Sequence, residues 1–351
     1  MAAAGAIARA SAALGEAAAA IRGADALLIC TGAGMGVDSG LGTFRGKAAG
    51  VWAPLRALHM DFSEMSCPRW FDEDPRLAWA FWHYRHQGYT RGSPHAGYGL
   101  LEKWGRGMRN GFFSVTSNID GHWVRTPGVG EERVYECHGT LMHMQYLRDD
   151  GTHPWPTDHA AIDALDVPEW DLAPGDAVEA QMASGGEWRD AVVDSSGGLA
   201  HPPSSSRRGA FPAARAVRRP GGEDLCRVRE GGALPGDQRG AWRPAVLMFG
   251  DFGVNCARID AQQERFSAWM AGLPKDARLA VVEIGAGTAV RTIRSVAERA
   301  ALQFPSGSFI RINMEDASVF RLRGKQQVSV EGVGALAALT AIDELLGQPM
   351  G

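Results

Sequence analysis

The sequence predicts an α/β protein built on a doubly wound parallel sheet, with a smaller second domain that is mainly helical or irregular. Short, nearly continuous apolar runs recur along the chain, and each ends in Gly, Asn or Asp. Such runs are typical of strands buried on both faces of a parallel sheet. Alanine-rich stretches between some of the runs have the composition of crossover helices. In a sheet of this kind, ligands bind at the carboxyl ends of the strands.

The first element predicted is a helix within the alanine-rich residues 1–25. A transit peptide would have a similar composition. Ile7, Leu14 and Ile21 recur every seven residues, which favours the helix, and Gly23 supplies its end. The strands predicted after it are the apolar runs at 26–30, 112–120, 133–139, 245–251, 278–288 and 308–315.

The order of these elements predicts a discontinuous domain organisation. The helical insertion is predicted at 47–104, where Trp, Phe, His and Met are frequent, and a degenerate small module at 141–242. The Rossmann-like domain is predicted to consist of 1–46, 105–140 and 243–351.

Residues 195–240, inside the small module, are dominated by Gly, Ser, Pro and Arg and show no hydrophobic periodicity. Such a composition cannot bury enough apolar surface to offset the entropy of ordering, so the sequence predicts a disordered insert at about 195–240. The arginines could also form a nucleic-acid patch, but no aromatic stacking residues accompany them. A shifted reading frame would give the same composition.

Composition limits the function classes. The chain has 351 residues, a net charge of −4, 45% hydrophobic and 22% charged residues. This charge predicts no direct nucleic-acid partner, and the absence of a run of 18 apolar residues predicts no membrane span. The five cysteines are far apart, odd in number and never spaced as CxxC. That pattern indicates reduced thiols and an intracellular protein, cytoplasmic or, in a eukaryote, nuclear.

The stretch LLICTGAGMGVDSGLGTFRG, at 27–46, combines an apolar strand with a glycine-rich loop and a terminal arginine. Glycines at the end of a first strand let backbone amides approach a pyrophosphate, and a following helix N-terminus favours the negative charge. The GxGxxG spacing of dehydrogenases is absent. The loop instead resembles GAGxSxxSGIPDFRG of the sirtuins, the NAD-dependent protein-lysine deacylases.

Five further segments resemble sirtuin motifs in the same chain order. The resemblance covers roughly 20–145 and 243–345, and it implies a sirtuin-type fold, NAD as co-substrate and an acylated protein or peptide as substrate. The segments are TSNIDG at 116–121, ECHGT at 136–140, RPAVLMFGD at 243–251, IGAGTAV at 284–290 and INME at 312–315.

The resemblance also implies roles for individual residues. His138 corresponds to the catalytic histidine, and imidazole suits a general base because its ordinary pKa of about 6.5 lies near working pH. A lone histidine is otherwise a structural residue, and the His-Gly context favours catalysis. Asn118 would contact the ribose, and Asp120 would accept hydrogen bonds from the nicotinamide carboxamide, although NIDG also has the composition of a plain turn.

The other NAD-binding residues implied by the resemblance lie on the glycine loop, the NID loop and the two adenosine loops. Phe249 and Gly250 would line the acyl-lysine channel. The NAD-binding residues are Gly32, Ala33, Gly34, Phe44, Arg45, Ser117, Ile119, Gly287, Thr288, Asn313 and Glu315.

The chain departs from the sirtuin pattern at several positions. Gly42-Thr43 replaces Pro-Asp, and Ser117 replaces a glutamine that helps hold the nicotinamide ribose. The first zinc-binding CxxC would fall on Tyr146 and Asp149. A structural zinc needs four ligands, so the sequence predicts no metal site. An improvised site would have to combine Cys137 and Cys226 with His143, His153 or His159, and no spacing supports it.

Three functions remain open from the sequence. The first is an NAD-dependent protein-lysine deacylase that releases nicotinamide and O-acyl-ADP-ribose. The second is an NAD-consuming ADP-ribosyltransferase or NAD hydrolase, which the altered Pro-Asp and glutamine positions allow. The third is a catalytically inactive NAD-binding module, which the retained His138 disfavours.

Overall fold

The computed structural model describes residues 2–43, 52–205, 210–319, 322 and 326–348. The chain forms two compact units, the first made of Met1–Ala49, Tyr89–Met142 and Cys256–Gly351, the second of Gly50–Gly88 and His143–Asn255. The boundaries differ from the predicted domains at two places. Residues 89–104 belong to the first unit rather than to a helical insertion, and 243–255 belong to the second unit rather than to the Rossmann-like domain.

The described part of the chain alternates helices and strands. The α-helices are α1 Ala2–Arg9, α2 Ser11–Arg22, α3 Pro54–Ala57, α4 Phe62–Met65, α5 Trp70–Glu73, α6 Pro75–Arg91, α7 Ala96–Arg106, α8 His122–Arg125, α9 His159–Asp163, α10 Ala257–Gly272, α11 Thr292–Gln303 and α12 Ala335–Leu346. The strands are β1 Ala26–Thr31, β2 Phe112–Thr116, β3 Val134–Glu136, β4 Gly139–Tyr146, β5 Trp155–Pro156, β6 Ala177–Gln181, β7 Trp188–Val193, β8 Leu199–Ala200, β9 Ala216–Arg218, β10 Gly236–Asp237, β11 Gly240–Val246, β12 Leu279–Ile284, β13 Ser308–Asn313 and β14 Gln326–Glu331.

The first unit is built on a six-stranded parallel sheet with the order β14-β13-β12-β1-β2-β3. Strand β1 lies inside this sheet, and its last residue, Thr31, is in register with Ile284 of β12 and Thr116 of β2. The chain crosses to β2 on one side of β1 and later to β12 on the other. This reversal of strand order is the topological switch at which α/β sheets bind ligands.

Both faces of this sheet are covered, because alternate side chains of each strand point to opposite faces. Leu27 and Ile29 belong to a core that includes residues of α2, α7 and α12. Leu28 and Cys30 belong to a second core, with residues of α10 and α11. The predicted doubly wound α/β sheet is therefore confirmed. The helix predicted within residues 1–25 is divided into α1 and α2, and α2 ends at Arg22 with Gly23 as its C-cap, as the sequence predicts.

The second unit contains the antiparallel four-stranded sheet β8-β7-β6-β9 and most of a second four-stranded sheet, β10-β11-β4-β5, besides short helices and most of α6. The sequence predicts a mainly helical or irregular domain here, and the structure shows strands instead. Most of these strands are too short to leave a recognisable pattern in the sequence. The run at 245–251 is not a parallel strand. Its first residues end β11, which pairs antiparallel with β10, and the rest is a turn.

The disorder predicted for 195–240 is replaced by ordered strands in the described residues of this segment. Strands β8, β9 and β10 all lie in it. Its few apolar side chains, including Leu199, Phe211, Val217 and Leu225, are buried. The buried residues occur singly or in short groups, such as Ala216–Val217 and Leu225–Cys226, between polar loop residues, so no periodic pattern marks the segment. No helix of the described residues is long and apolar enough to cross a bilayer.

Candidate functional site

The predicted NAD-binding loops of the first unit leave neighbouring strands at the same edge of its sheet. The glycine loop follows β1, the NID loop follows β2, and His138 stands two residues after β3. The two predicted adenosine loops follow β12 and β13. Because the sheet is parallel, the carboxyl ends of all these strands meet at one edge. The structure thus brings together, within one unit, residues that are far apart in the sequence.

Glycines of the loop after β1 are required by backbone packing. A Cβ on Gly34 would lie 2.7 Å from the Gly285 Cα, and a Cβ on Gly32 would lie 2.7 Å from the Gly285 carbonyl oxygen. Gly285 itself has φ +62° and lies against Gly34 and the Met35 amide. The loops after β1 and β12 therefore pack backbone to backbone. The helix expected after the glycine loop is a 3-10 helix, Ala33–Ser39.

Hydrogen bonds fix the NID loop against the glycine loop. The Asn118 side chain donates from Nδ2 to the Gly32 carbonyl at 3.0 Å, and its backbone amide donates to Thr116 Oγ1 at 3.0 Å. Asp120 is buried, and its Oδ1 accepts from the His122 amide at 2.9 Å. Ile119 is buried beside it. These contacts hold Asn118 and Asp120 in defined positions at the carboxyl edge.

The ring of His122 lies behind this loop and is fully buried. Burial lowers its pKa to about 4, and the positive charge of Arg125 acts in the same direction. His122 therefore stays neutral at neutral pH.

His138 is half-buried, and its Nε2 lies 3.3 Å from Thr292 Oγ1 at the start of α11. Burial lowers the pKa of His138, while a hydrogen bond with the Ser117 carbonyl raises it. An imidazole with a lowered pKa is neutral at neutral pH, which is the form that can accept a proton. The strand before it is anchored by Glu136, which is buried and pairs with Arg258 at 2.7 Å.

The two adenosine loops are joined by polar contacts. Asn313 Nδ2 donates to the Ala286 carbonyl at 3.1 Å. Arg294 donates to the same carbonyl and to that of Asp316, both at 2.9 Å. The sequence did not single out Arg294. Gly287, Thr288 and Glu315 are exposed, as residues that contact a ligand must be before it binds.

Four predicted residues do not belong to the described part of the first unit. Phe44 and Arg45 lie outside the described residues. Phe249 and Gly250 belong to the second unit, in a turn that a buried ion pair fixes: Arg243 Nη2 donates to Asp251 Oδ2 at 2.6 Å. Phe249 is 42% exposed, and Gly250 has φ +68°, a backbone conformation that favours glycine.

The residues at the zinc-module positions do not fit a zinc ion. Tyr146 packs against Trp155 with ring centroids 4.9 Å apart, and its hydroxyl donates to Asp237 Oδ2 at 2.7 Å. The guanidinium of Arg239 lies over the same ring. Asp149 accepts from the Asn255 side chain at 2.8 Å. Among the described residues, no group of three or more His, Cys, Asp and Glu side chains could hold a metal ion.

Trp242 also packs against Trp155, with ring centroids 5.5 Å apart, and this aromatic cluster leads to a prediction about metal dependence. We expect the purified protein to contain less than one equivalent of zinc and to keep its melting temperature in a chelator. Trp155→Ala should lower the free energy of unfolding by about 1–3 kcal/mol, because it removes half-buried aromatic area and the ring contacts with Tyr146 and Trp242. Trp155→Phe should restore part of it. A stoichiometric metal that survives chelation, measured by elemental analysis, would contradict the prediction.

Comparisons with known proteins agree with this geometry. A model of the Sir2 family matches residues 32–253. The NAD-dependent protein deacylase of Deinococcus radiodurans is 32% identical over 133 residues, which are 38% of this chain and 52% of that protein. The corresponding protein of Aquifex aeolicus is 31% identical over 119 residues, 34% of this chain and 46% of its own. The chain thus matches about half the length of these relatives.

Solved structures extend the likeness to nearly the whole fold. A Sir2 homologue in complex with NAD is 15% identical and has a TM-score of 0.54, covering 93% of this chain and 92% of that one. A Sir2 protein solved with a deacetylated peptide and 3′-O-acetyl-ADP-ribose is 13% identical, with a TM-score of 0.52 and coverage of 93% and 96%. At these identities the likeness shows the fold alone.

Proposed function

Because the chain belongs to the Sir2 family, we propose that it is an NAD-dependent protein-lysine deacylase. The reaction consumes NAD, one water and an acyl-lysine of a protein or peptide, and it yields nicotinamide, the free lysine and O-acyl-ADP-ribose. The observation that carries the proposal is the position of His138 beside the NID loop, at the edge where the glycine loop and both adenosine loops also end.

NAD is proposed to lie across the carboxyl edge of the first unit. The glycine loop is suited to the pyrophosphate, because Gly32 and Gly34 place backbone there without side chains. Gly287, Thr288, Asn313 and Glu315 are proposed for the adenosine half, and Ser117, Asn118, Ile119 and Asp120 for the nicotinamide ribose and carboxamide. Relatives named as NAD-dependent deacylases, and a Sir2 homologue solved with NAD, support this co-substrate.

The chemistry proposed for the chain's own residues has two parts. Asp120 accepts hydrogen bonds from the carboxamide NH₂ and so holds the nicotinamide while the bond to the ribose breaks. His138 then takes a proton from a ribose hydroxyl, which becomes a nucleophile toward the acyl carbon. A positioned base of this kind is worth roughly 10²–10⁴-fold in rate. The roles of Phe249 and Gly250 in acyl-lysine binding, and of Phe44 and Arg45 in enclosing NAD, stay predictions.

Product analysis tests the proposal. We expect the protein, incubated with NAD and an acetyl-lysine peptide, to form O-acetyl-ADP-ribose and nicotinamide in equal amounts. Labelled nicotinamide should exchange into NAD only when the acyl peptide is present, because expulsion of nicotinamide needs the acyl oxygen. Chromatography coupled to mass spectrometry separates the products.

Other outcomes point to the remaining functions. ADP-ribose formed equally with and without the acyl peptide would indicate an NAD hydrolase, and ADP-ribose bound to protein would indicate a transferase. NAD binding without exchange or product would indicate a binding module. Asp120→Asn serves as the matched variant, since it should weaken nicotinamide exchange while the pyrophosphate contacts stay in place.

A further inference from the structure

Arg294 is a buried arginine of α11 whose guanidinium bonds both loops proposed for the adenosine half of NAD. It is the third residue of the helix. Its Nε donates to the Ala286 carbonyl at 2.9 Å, in the loop after β12. Its Nη2 donates to the Asp316 carbonyl at 2.9 Å, in the loop after β13. All three residues belong to the first unit.

The two bonded carbonyls lie next to the residues proposed to contact the ligand. Ala286 directly precedes Gly287 and Thr288, and Asp316 directly follows Glu315. These three neighbours are exposed, whereas the guanidinium that bonds the backbone beside them is buried. A guanidinium carries several donors in a rigid, planar fork, so one side chain can fix two loops at once.

The backbone of the loop after β13 needs such support. Asp316 has φ +58°, in the left-handed region that residues with a Cβ adopt at a cost in conformational energy. A backbone in this region persists where its surroundings hold it, and the bond from Arg294 is such a contact. In the loop after β12, the Ala286 carbonyl also accepts from Asn313 Nδ2 at 3.1 Å, so both of its lone pairs are used.

We propose that Arg294 is a positioning residue that sets the affinity for the adenosine half of NAD. The inference rests on the proposed function, because it takes these two loops as the adenosine site. The guanidinium holds both loops in one arrangement before the dinucleotide arrives. Binding then costs less conformational entropy than it would if the ligand had to order the loops itself. The role is separate from the base, because His138 follows a different strand, β3.

Removing this guanidinium leaves the neighbouring buried groups paired. Glu283 lies beside Arg294, with 4.0 Å between its Oε1 and the arginine Nε. It keeps two shorter hydrogen bonds from Arg311, at 2.6 and 2.9 Å. The Ala286 carbonyl keeps its bond from Asn313. A neutral side chain at position 294 therefore loosens the two loops without leaving a buried carboxylate unpaired.

The test compares Arg294→Met, which removes the donors, with Arg294→Lys, which keeps the charge without the fork. We expect the Kd of ADP-ribose, measured by calorimetry, to rise about tenfold in the methionine variant, the equivalent of about 1.4 kcal/mol. KM for NAD should rise by a similar factor with kcat nearly unchanged. Amide hydrogen exchange in the free protein should become about tenfold faster at 286–288 and 314–317. The lysine variant should recover part of each change.

Arg299→Met is the matched control, because Arg299 is an exposed arginine of the same helix and donates to the Ser295 carbonyl at 3.0 Å. It should change neither the affinity nor the exchange of the loops. Both are measured under conditions in which urea unfolding shows every variant to be folded. A methionine variant with the wild-type ADP-ribose affinity would overturn the inference, and so would a weaker affinity without faster exchange in the two loops.

These measurements also separate the inference from the proposed reaction. ADP-ribose binding and hydrogen exchange are followed without turnover, so they do not depend on deacylase activity. If the wild type binds ADP-ribose but forms no O-acyl-ADP-ribose, the proposed deacylation fails. The affinities of the variants then still determine whether Arg294 positions the two loops.

Discussion

Replacing His138 by alanine should lower deacylation roughly 10²–10⁴-fold while leaving NAD affinity nearly intact. The separation follows from the geometry, because the backbone of the glycine loop, packed on Gly285, does not depend on the histidine ring. Nicotinamide leaves before the base acts in the proposed reaction. We therefore expect the variant to retain acyl-peptide-dependent nicotinamide exchange while O-acyl-ADP-ribose formation fails.

The measurements are product formation and labelled nicotinamide exchange on one preparation, with NAD binding by calorimetry. His153→Ala is a suitable control, because His153 is an exposed histidine of the other unit. The lowered pKa of His138 also sets a pH dependence. The acid limb of kcat/KM in the wild type should lie below the ordinary imidazole value of about 6.5. If His138→Ala deacylates at the wild-type rate, His138 has a structural role and is not the base.

Arg311→Met should lower the free energy of unfolding by about 3–5 kcal/mol, the usual cost of leaving one partner of a buried ion pair. Arg311, on β13, donates to both carboxylate oxygens of Glu283 on β12 at 2.6 and 2.9 Å, and to Glu298 at 2.9 Å. Arg311 and Glu283 are buried. Without the guanidinium, Glu283 keeps its desolvation cost and loses its principal partner.

The pH dependence of this variant has a definite sign. Burial raises the pKa of Glu283 even in the intact pair, and loss of Arg311 raises it further. A carboxyl group whose folded pKa is raised binds more protons folded than unfolded, so stability falls as pH rises above its ordinary value. The destabilisation should be larger at pH 8 than at pH 5.

Urea unfolding of three variants distinguishes the contribution of the Arg311–Glu283 pair from the effect of removing any arginine. Glu283→Gln/Arg311→Met should recover part of the loss, since the buried side chain at position 283 is then neutral. Arg278→Met removes an arginine that pairs with Asp25 at the surface, and it should cost less than about 1 kcal/mol. If Arg311→Met costs no more than Arg278→Met, the buried pair does not contribute as described.

The parallel sheet was predictable because burial on both faces leaves a signal in the sequence. Leu27, Leu28 and Ile29 are consecutive and apolar, and every residue of β1 is buried. Strand β14 escaped prediction because only Val328 and Val330 of Gln326–Glu331 are buried, an alternation typical of a sheet edge. The short strands of the second unit left no comparable signal.

The candidate site was predictable where a motif contains the residue. His138, Asn118 and Asp120 were predicted because each stands after a strand in a short pattern that resembles a sirtuin motif, and their roles stay predictions. Thr292 and Arg294 were not, because their contacts depend on where α11 begins and on which loops lie beside it in space. The sequence alone indicates which reactive side chains follow the strands. It does not indicate which residues of a distant helix contact them in the folded protein.

The chain enters the sheet β8-β7-β6-β9 through β6 and leaves it through β9, and these two strands are paired. Glu179, near its entry, lies opposite Arg218, near its exit, and the two side chains form an ion pair at 2.6 Å. Chain that leaves and returns through neighbouring strands forms a closed loop, whose entropy cost grows only with the logarithm of its length. Such a segment can gain or lose residues between its fixed ends at little thermodynamic cost, which makes this part of the molecule a natural acceptor for inserted sequence.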